Sequence, residues 1–425
     1  MALSAPRGVR DILPVESTKW RWLENQFVEI CKVFGYHELR IPFFEATELY
    51  QRGVGEATDI VQKEMYTFAD RSDRSLTLRP EITAGMARSY IEQKLHAGVQ
   101  PVKLFTYGPL FRYERPQAGR YRQFHQFDIE AFGSLDPMTD AEIIALGWQF
   151  FHKIGLEDIQ LQINSIGCEH CRPRLRRDMI KYLEQRLDKL CPDCQKRYLQ
   201  NPLRVFDCKN ETCQAEYRDL PVMRGRFCPD CAHHHILVHE YLKAMGIPYI
   251  INDRLVRGLD YYNRTVFEFF DPNTAVEIGA LGGGGRYDYL VRDLGGPETP
   301  GVGFGLGMER ILIALDRKGF PYTEEKLPLF VVTIGEETAY RAIAIVNSLR
   351  KKGIKCEIDI MQRSLKAQLR HANKLGAKKV LIIGEDELQN GKLVLRNMET
   401  QSQEEIDYAT LEEFIEVLRL KLASE

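Results

Sequence analysis

Gly301-Val302-Gly303-Phe304-Gly305-Leu306-Gly307-Met308-Glu309-Arg310 puts a glycine at alternate positions of an extended segment, which then turns into an apolar helix ending at Asp316. A strand bare of side chains on one face leaves its backbone open to close approach. Arg310, at the head of the helix, stands where a guanidinium can grip a phosphate or lie beneath a flat ring. Tight helix–sheet packing also accounts for the glycines, so a second element has to decide.

That element lies upstream. Lys103–Arg112 and Arg122–Phe132 read as two strands bracketing the polar stretch Glu114–Tyr121, an antiparallel hairpin with a long tip. Arg112 and Glu114 share a face, and Phe124 opens the return strand. Such a trio suits a nucleoside triphosphate: the guanidinium binds phosphate, the ring stacks on a base and the carboxylate accepts from an exocyclic amine. A cross-strand ion pair beside a core phenylalanine would use the same residues for structure alone.

Around these elements, Thr18–Phe34 has helical apolar spacing with Gly35 as its stop. The next segment, Tyr36–Phe44, reads as a strand in which Pro42 deletes a ladder donor and so favours an edge or interface position. Later, Thr265–Phe270 and Val276–Leu281 read as strands, with Gly282-Gly283-Gly284-Gly285 as a turn. Beyond the linker Gly319–Pro328 the chain alternates strand and helix: Leu329–Ile334, Thr338–Lys352, Lys355–Ile360, Ser364–Leu375, Lys379–Ile383 and a last helix from about Leu411. That order predicts a small α/β domain with a mixed sheet.

A chain of 425 residues exceeds what one core supports and predicts about three domains. Its formal net charge of −2 excludes an overall positive field, so any polyanion must be held by local patches. The strongest is Arg350–Lys379, with ten Lys or Arg against Glu357 and Asp359. A smaller one, Arg172-Pro173-Arg174-Leu175-Arg176-Arg177, reads equally as a phosphate contact or a solvated helix start. The opening MALSAPRGVRDILP has neither an apolar signal core nor an Arg-rich leader, and no apolar run reaches the ~20 residues of a membrane span. A cytosolic protein is expected.

Eight of ten cysteines fall between Cys168 and Cys231 as the pairs Cys168/Cys171, Cys191/Cys194, Cys208/Cys213 and Cys228/Cys231. Pairs of thiolates two to four residues apart can each supply half of a tetrahedral Zn²⁺ shell, so four pairs suffice for two closed structural sites. Reduced structural thiols and disulfides are the alternatives, the latter disfavoured in the cytosol. The run His233-His234-His235 is read as solvated, because the thiols already provide enough donors. The pairs bound a module of about Asn164 to Ile250, with helical stretches at Arg174–Leu190 and Ile236–Met245, inserted into something larger.

Phe111-Arg112-Tyr113-Glu114 with Phe124, and Gly303–Arg310, resemble the second and third signature motifs of class II aminoacyl-tRNA synthetases, and Pro42 after its helix fits the first. Leu255-Val256-Arg257-Gly258-Leu259-Asp260-Tyr261-Tyr262 and Gly284-Gly285-Arg286-Tyr287-Asp288 resemble the two motifs peculiar to histidyl-tRNA synthetases. Thr77-Leu78-Arg79-Pro80-Glu81-Ile82-Thr83 and Arg7-Gly8-Val9-Arg10-Asp11 match the same family, over essentially the whole chain. The resemblance implies a multidomain α+β protein: an antiparallel-sheet catalytic domain (residues 1–163 and 251–322), a cysteine-rich, partly helical insertion (164–250) and a C-terminal α/β anticodon-binding domain with a mixed sheet (328–425).

It also implies an activity: histidine and ATP·Mg²⁺ give histidyl-adenylate and pyrophosphate, and histidyl then passes to the 3′ end of tRNA(His). A homodimer is implied, and no membrane. Carried over residue by residue, Arg257 and Arg112 would be catalytic, and Glu81, Ile82, Thr83, Gln126, Glu130, Tyr261 and Tyr262 would join them around histidine. Arg112, Glu114, Phe124 and Arg310 would hold ATP, and Arg115, Gln117 and Arg120 would meet the tRNA acceptor end. Zinc rests on cysteine spacing alone and is not carried over.

The strongest rival is a catalytically idle histidine-biosynthesis regulator with the same catalytic fold. Such regulators resemble the synthetase without its C-terminal domain and typically without the catalytic arginine motif, whereas Arg257 and the region after Pro328 are both present. A zinc-stapled nucleic-acid-binding module would leave Arg112, Arg257 and Arg310 without a purpose.

Overall fold

A computed structural model describes residues 3–56, 58–273, 279–322 and 326–423. It divides into two compact units, Met1–Pro321 and Tyr322–Glu425. Strands of the first unit are β1 (His37–Glu38), β2 (Phe44–Ala46), β3 (Tyr66–Ala69), β4 (Ser75–Leu78), β5 (Val102–Phe111), β6 (Gln123–Phe132), β7 (Gln160–Ser165), β8 (Ile250–Ile251), β9 (Asn263–Phe270), β10 (Ala280–Arg286) and β11 (Gly301–Gly307). Eight of them form one sheet in the order β1-β5-β6-β11-β10-β9-β7-β8, and β2-β4-β3 form a small second one. The six central strands are antiparallel, and β1 and β8 join the edges in parallel.

The hairpin comes out as expected, with β5 and β6 paired from Val102↔Phe132 to Phe111↔Gln123. One face of the sheet is covered by helix Pro14–Val33, which buries Trp20, Leu23 and Phe27, and Phe27 stacks on Phe127 with centroids 4.2 Å apart. This helix begins at Pro14 rather than Thr18. Its proline occupies the first turn, where a missing N–H costs no intrahelical bond.

Two sequence expectations fail for physical reasons. Tyr36–Phe44 is not one strand: it divides into β1, on the edge of the large sheet, and β2, in the small one, with Pro42 unable to continue either ladder. Gly282–Gly285 is not a turn. These glycines lie inside β10, paired with β9 and β11, and a Cβ on Gly284 would overlap the carbonyl oxygen of Gly303. Consecutive glycines let the three strands approach where side chains would hold them apart. The expected strand from Val276 starts outside the described residues, which resume at residue 279.

Between β7 and β9 the chain forms helices Arg172–Glu184, Pro192–Gln200, Glu211–Glu216 and Pro229–Ala244, besides β8. Leu175, Met179, Leu183, Val205 and the buried cysteines make a core of their own there. The first helix stops at Glu184, short of the expected Leu190, and the last starts seven residues before Ile236, capped at Cys228. The histidine run is not solvated as a whole: His233 is exposed, but His234 is buried and lies 3.2 Å from Asp140 Oδ1. One face of helix Pro229–Ala244 packs toward helix Pro137–Lys153, and His234 sits on that face.

The second unit contains β12 (Leu329–Ile334), β13 (Cys356–Ile358), β14 (Lys379–Gly384), β15 (Lys392–Asn397) and β16 (Gln403–Asp407), ordered β13-β12-β14-β15-β16. β12, β13 and β14 run parallel and β15 and β16 antiparallel, so the sheet is mixed as expected. Helices Glu336–Lys351 and Leu411–Ala423 contact each other, and Phe414, Ile415 and Leu418 join Leu381, Leu393 and Leu395 in one core. Among the described residues, no helix is long and apolar enough to cross a membrane.

Candidate active site

Two adjoining pockets open over the glycine strands β10 and β11. Bare backbone makes the floor, and side chains from the hairpin, the segment Leu255–Tyr262 and the head of helix Met308–Arg317 make the walls. Glu309 anchors that helix to β6 by accepting the His125 N–H at 3.0 Å, which fixes where Arg310 stands. Arg310 donates to the Ala280 carbonyl at 2.6 Å and faces Arg112, Glu114 and Phe124 in the first pocket. The Arg112 guanidinium lies 5.2 Å from the centre of the Phe124 ring and donates through Nε to the Pro80 carbonyl at 2.8 Å.

The second pocket is lined by Glu81, Thr83, Asp128, Tyr261 and Tyr262. Arg112, Gln126, Arg257, Glu268 and Gly305 border both pockets. Arg257 is held by Glu268, Nη1 to Oε1 at 2.5 Å, and by the Gly283 carbonyl at 3.2 Å. Burial, the largest single influence, works against its charge, but the Glu268 carboxylate together with Tyr262, Asp207 and Tyr261 raises its pKa.

Four acids, Glu81, Asp128, Asp207 and Glu268, line the second pocket, and burial pushes Glu81, Asp128 and Asp207 toward their neutral forms. Glu81 is raised by burial, against hydrogen bonds from the Ala84 N–H at 2.9 Å and the Tyr261 hydroxyl at 3.4 Å. Asp128 and Glu130 are raised further, first by burial. Tyr262 is pushed up to about 12 by burial. Among the described residues Asp128 Oδ2 has no hydrogen-bond partner, an open acceptor in a buried polar cleft.

Most residues singled out from the sequence converge here; four do not line either pocket. Ile82 is buried in the core beside Met86 and Tyr90. Glu130 lies one layer behind, accepting from Thr83 Oγ1 at 2.5 Å and from the Tyr287 hydroxyl, so it orients Thr83. Arg115 and Gln117 are exposed on the hairpin tip, whereas Arg120 turns inward to Glu114 at 3.6 Å. Arg286, in the second family-specific motif, is fully buried between Asp140 and Asp288 and serves the structure.

Sequence reasoning missed Asp128, Glu268 and Asp207. Gln126, Asp128 and Glu130 recur at every second position, and Glu268 is the one charge between Phe267 and Phe269, so a strand-face count would have found both. Asp207 comes from the insertion and carries no local signal.

The eight clustered cysteines form two groups: Cys168, Cys171, Cys228 and Cys231, and Cys191, Cys194, Cys208 and Cys213. Within each, all sulfurs lie within 4.8 Å of one another. The first pair thus joins the last, and the second joins the third.

Similarities to known proteins agree with this geometry. A family profile described as histidyl-tRNA synthetase matches residues 8–169 and 232–311, and one for an anticodon binding domain matches residues 328–418. Histidine–tRNA ligase of Desulforamulus reducens is 50 % identical over 416 residues, 98 % of this chain and 99 % of that protein. The ligase of Moorella thermoacetica is 50 % identical over 415 residues, 97 % and 98 % of the two chains. The crystal structure of apo S. aureus histidyl-tRNA synthetase superposes with a TM-score of 0.83 at 40 % identity, covering 97 % of this chain and all of that one. A Bacillus halodurans structure described as an ATP phosphoribosyltransferase regulatory subunit/histidyl-tRNA synthetase, 21 % identical with a TM-score of 0.66 over 90 % of this chain and 99 % of that one, shares the fold. With both profiles matched and ligases half identical from end to end, the chain belongs to the histidyl-tRNA synthetase family and joins histidine to tRNA.

Proposed function

We propose that the second pocket takes histidine, the first takes ATP·Mg²⁺, and the reaction occurs at their shared border. The observation that carries this is that Arg112 and Arg257 border both pockets, where a carboxylate from one side and an α-phosphate from the other must meet. The histidine carboxylate oxygen forms a bond to the α-phosphorus as the bond to the β-phosphate oxygen breaks and pyrophosphate leaves. Two fixed guanidiniums then face the charge that grows on the α-phosphate, and positioning supplies the rest. In the second step a hydroxyl of the terminal tRNA ribose attacks the acyl carbon and AMP departs.

Glu81 and Thr83 take the α-ammonium group, with Gln126 beside them, and Tyr261 and Tyr262 contact histidine, one of them at the imidazole. Ile82 contributes only through its place between Glu81 and Thr83, and Glu130 through Thr83. Glu114 and Phe124 hold adenine, Arg310 lies against ATP on the other side, and Arg115, Gln117 and Arg120 on the hairpin tip meet the tRNA acceptor end. Residues 1–163 and 251–322 act as the catalytic domain, 164–250 as its insertion and 328–425 as the anticodon-binding domain, in a cytoplasmic homodimer. Phe43, Phe44 and Phe68, around half exposed at the small sheet, support an apolar dimer face there. The eight clustered cysteines hold structural zinc.

Histidine-dependent ATP–pyrophosphate exchange on the purified protein, followed by charging of tRNA, tests the reading. Exchange driven by another amino acid, or none with histidine, would overturn it.

A further inference from the structure

One short segment of the insertion makes several contacts with the catalytic loop and its neighbours, and the second cysteine group ties that segment at both ends. Cys194 lies in helix Pro192–Gln200, and Cys208 directly follows the turn Pro202–Asp207. Between them, Arg197 pairs with Asp59 at 2.6 Å, Asn201 Nδ2 donates to Asp260 Oδ1 at 2.7 Å, and Arg204 donates to the Gly258 carbonyl. Gly258 and Asp260 belong to the loop that carries Arg257, Tyr261 and Tyr262. The first group acts on the same loop, because Arg172, next to Cys171, donates to the Tyr262 carbonyl. Asp207, one residue before Cys208, reaches the wall of the second pocket.

We propose that two zinc ions, each in a closed four-thiolate site, brace residues 194–208 against residues 257–262, so that metal loading of the insertion sets the shape of the histidine pocket. This rests on the zinc and histidine readings above and goes beyond both.

The sulfur geometry fits the ion. Sulfurs about 2.3 Å from a tetrahedral zinc lie about 3.8 Å from one another. Cys168 and Cys171 are 3.7 Å apart, Cys168 and Cys228 3.8 Å, and Cys191 and Cys208 3.8 Å. A disulfide needs about 2.05 Å. Donors already address the sulfurs: the Cys228 N–H reaches Cys171 Sγ at 3.1 Å, the Cys191 N–H reaches Cys213 Sγ at 3.1 Å, and the Tyr217 hydroxyl reaches Cys194 Sγ at 3.0 Å. Such contacts orient thiolate ligands. Four protein ligands leave no open position, so the ions are structural. The first site closes the neck of the insertion, joining the chain after β7 to the start of helix Pro229–Ala244; the second fixes the braced segment.

Zinc content and exchange kinetics on the full-length protein, intact and after chelation, test the proposal. Purified without added metal, the protein should hold about two zinc ions per chain, and Cys191→Ser with Cys208→Ser should hold about one. The chelated protein should show a KM for histidine raised about tenfold or more, as expected when two hydrogen bonds cease to order a loop, with KM for ATP changed less than about threefold. Added Zn²⁺ should restore it. Asn201→Ala with Arg204→Ala should keep about two zinc ions yet show the raised histidine KM, which separates the brace from mere folding of the insertion and decides the matter if chelation unfolds the protein.

Less than about a tenth of an equivalent of zinc would overturn the metal sites. Full zinc content with the parent histidine KM in the Asn201/Arg204 variant would overturn the brace and leave the zinc reading standing. Absence of histidine-dependent exchange in the intact protein would instead remove the histidine reading.

Discussion

Arg257→Ala should slow adenylate formation about 10²–10³-fold, the loss usual for one preorganised donor facing transition-state charge, or about 2.7–4 kcal/mol. Its guanidinium is fixed by Glu268 at 2.5 Å and the Gly283 carbonyl at 3.2 Å, while Nε has no hydrogen-bond partner among the described residues. A donor held this way needs no reorganisation when charge develops. Truncation also strips Glu268 of its ion pair, but that side chain is 24 % exposed at the pocket wall and can hydrate, so the fold should survive. Pyrophosphate exchange across a histidine titration gives kcat and KM separately. The loss should fall mainly on kcat, with KM for histidine moving less than about tenfold, because the proposed ground-state contacts are those of Glu81, Thr83 and the tyrosines. Arg257→Lys should recover only part of the rate, since an ammonium cannot span Glu268 and Gly283 together. A folded Arg257→Ala protein exchanging at the parent rate would refute the assignment.

In its proposed role Glu81 would accept the substrate ammonium only as a carboxylate, and burial raises its pKa, so KM for histidine should climb as pH falls, starting above the usual carboxylate range near ~4.3. Glu81→Gln should raise that KM about 10–100-fold at neutral pH and flatten the climb, measured by exchange at several pH values. Burial opposes ionisation of Asp140, yet Arg286 and then His234 hold its pKa well below the usual value; its contribution to stability is therefore full above about pH 4 and lost as pH falls through the depressed pKa. Arg286→Ala should cost about 3–5 kcal/mol in denaturant unfolding, by leaving the buried Asp140 without its guanidinium partner and with His234 alone. In the second unit, Lys366, Arg370 and Lys374 are exposed one turn apart on helix Leu365–Lys374, whereas Lys379 is buried and Arg363 pairs with Asp359. Reversing those three charges should weaken tRNA binding and reduce the slope of log affinity against log salt by up to about 2–3, without affecting pyrophosphate exchange. An unchanged slope would show that tRNA is held elsewhere.

Local sequence determined what depends on neighbours in the chain. The hairpin Val102–Phe132 was legible because alternation and a polar tip are short-range signals, and the C-terminal unit because strand and helix periods alternate there. Arg112, Arg257 and Arg310 were identified from their motifs, and the cysteine pairs from spacing alone. Tertiary structure decided what depends on meeting distant chain. Glycine signals a turn or a close approach equally well, and only the strands on either side of Gly284 show that it is the second. Pair spacing cannot say which C-x-x-C joins which, and that was fixed only when β7 and helix Pro229–Ala244 came together and set Cys168 beside Cys228. Asp207 belongs to the pocket because the insertion folds back on the Arg257 loop, a contact between segments about fifty residues apart that no local period encodes.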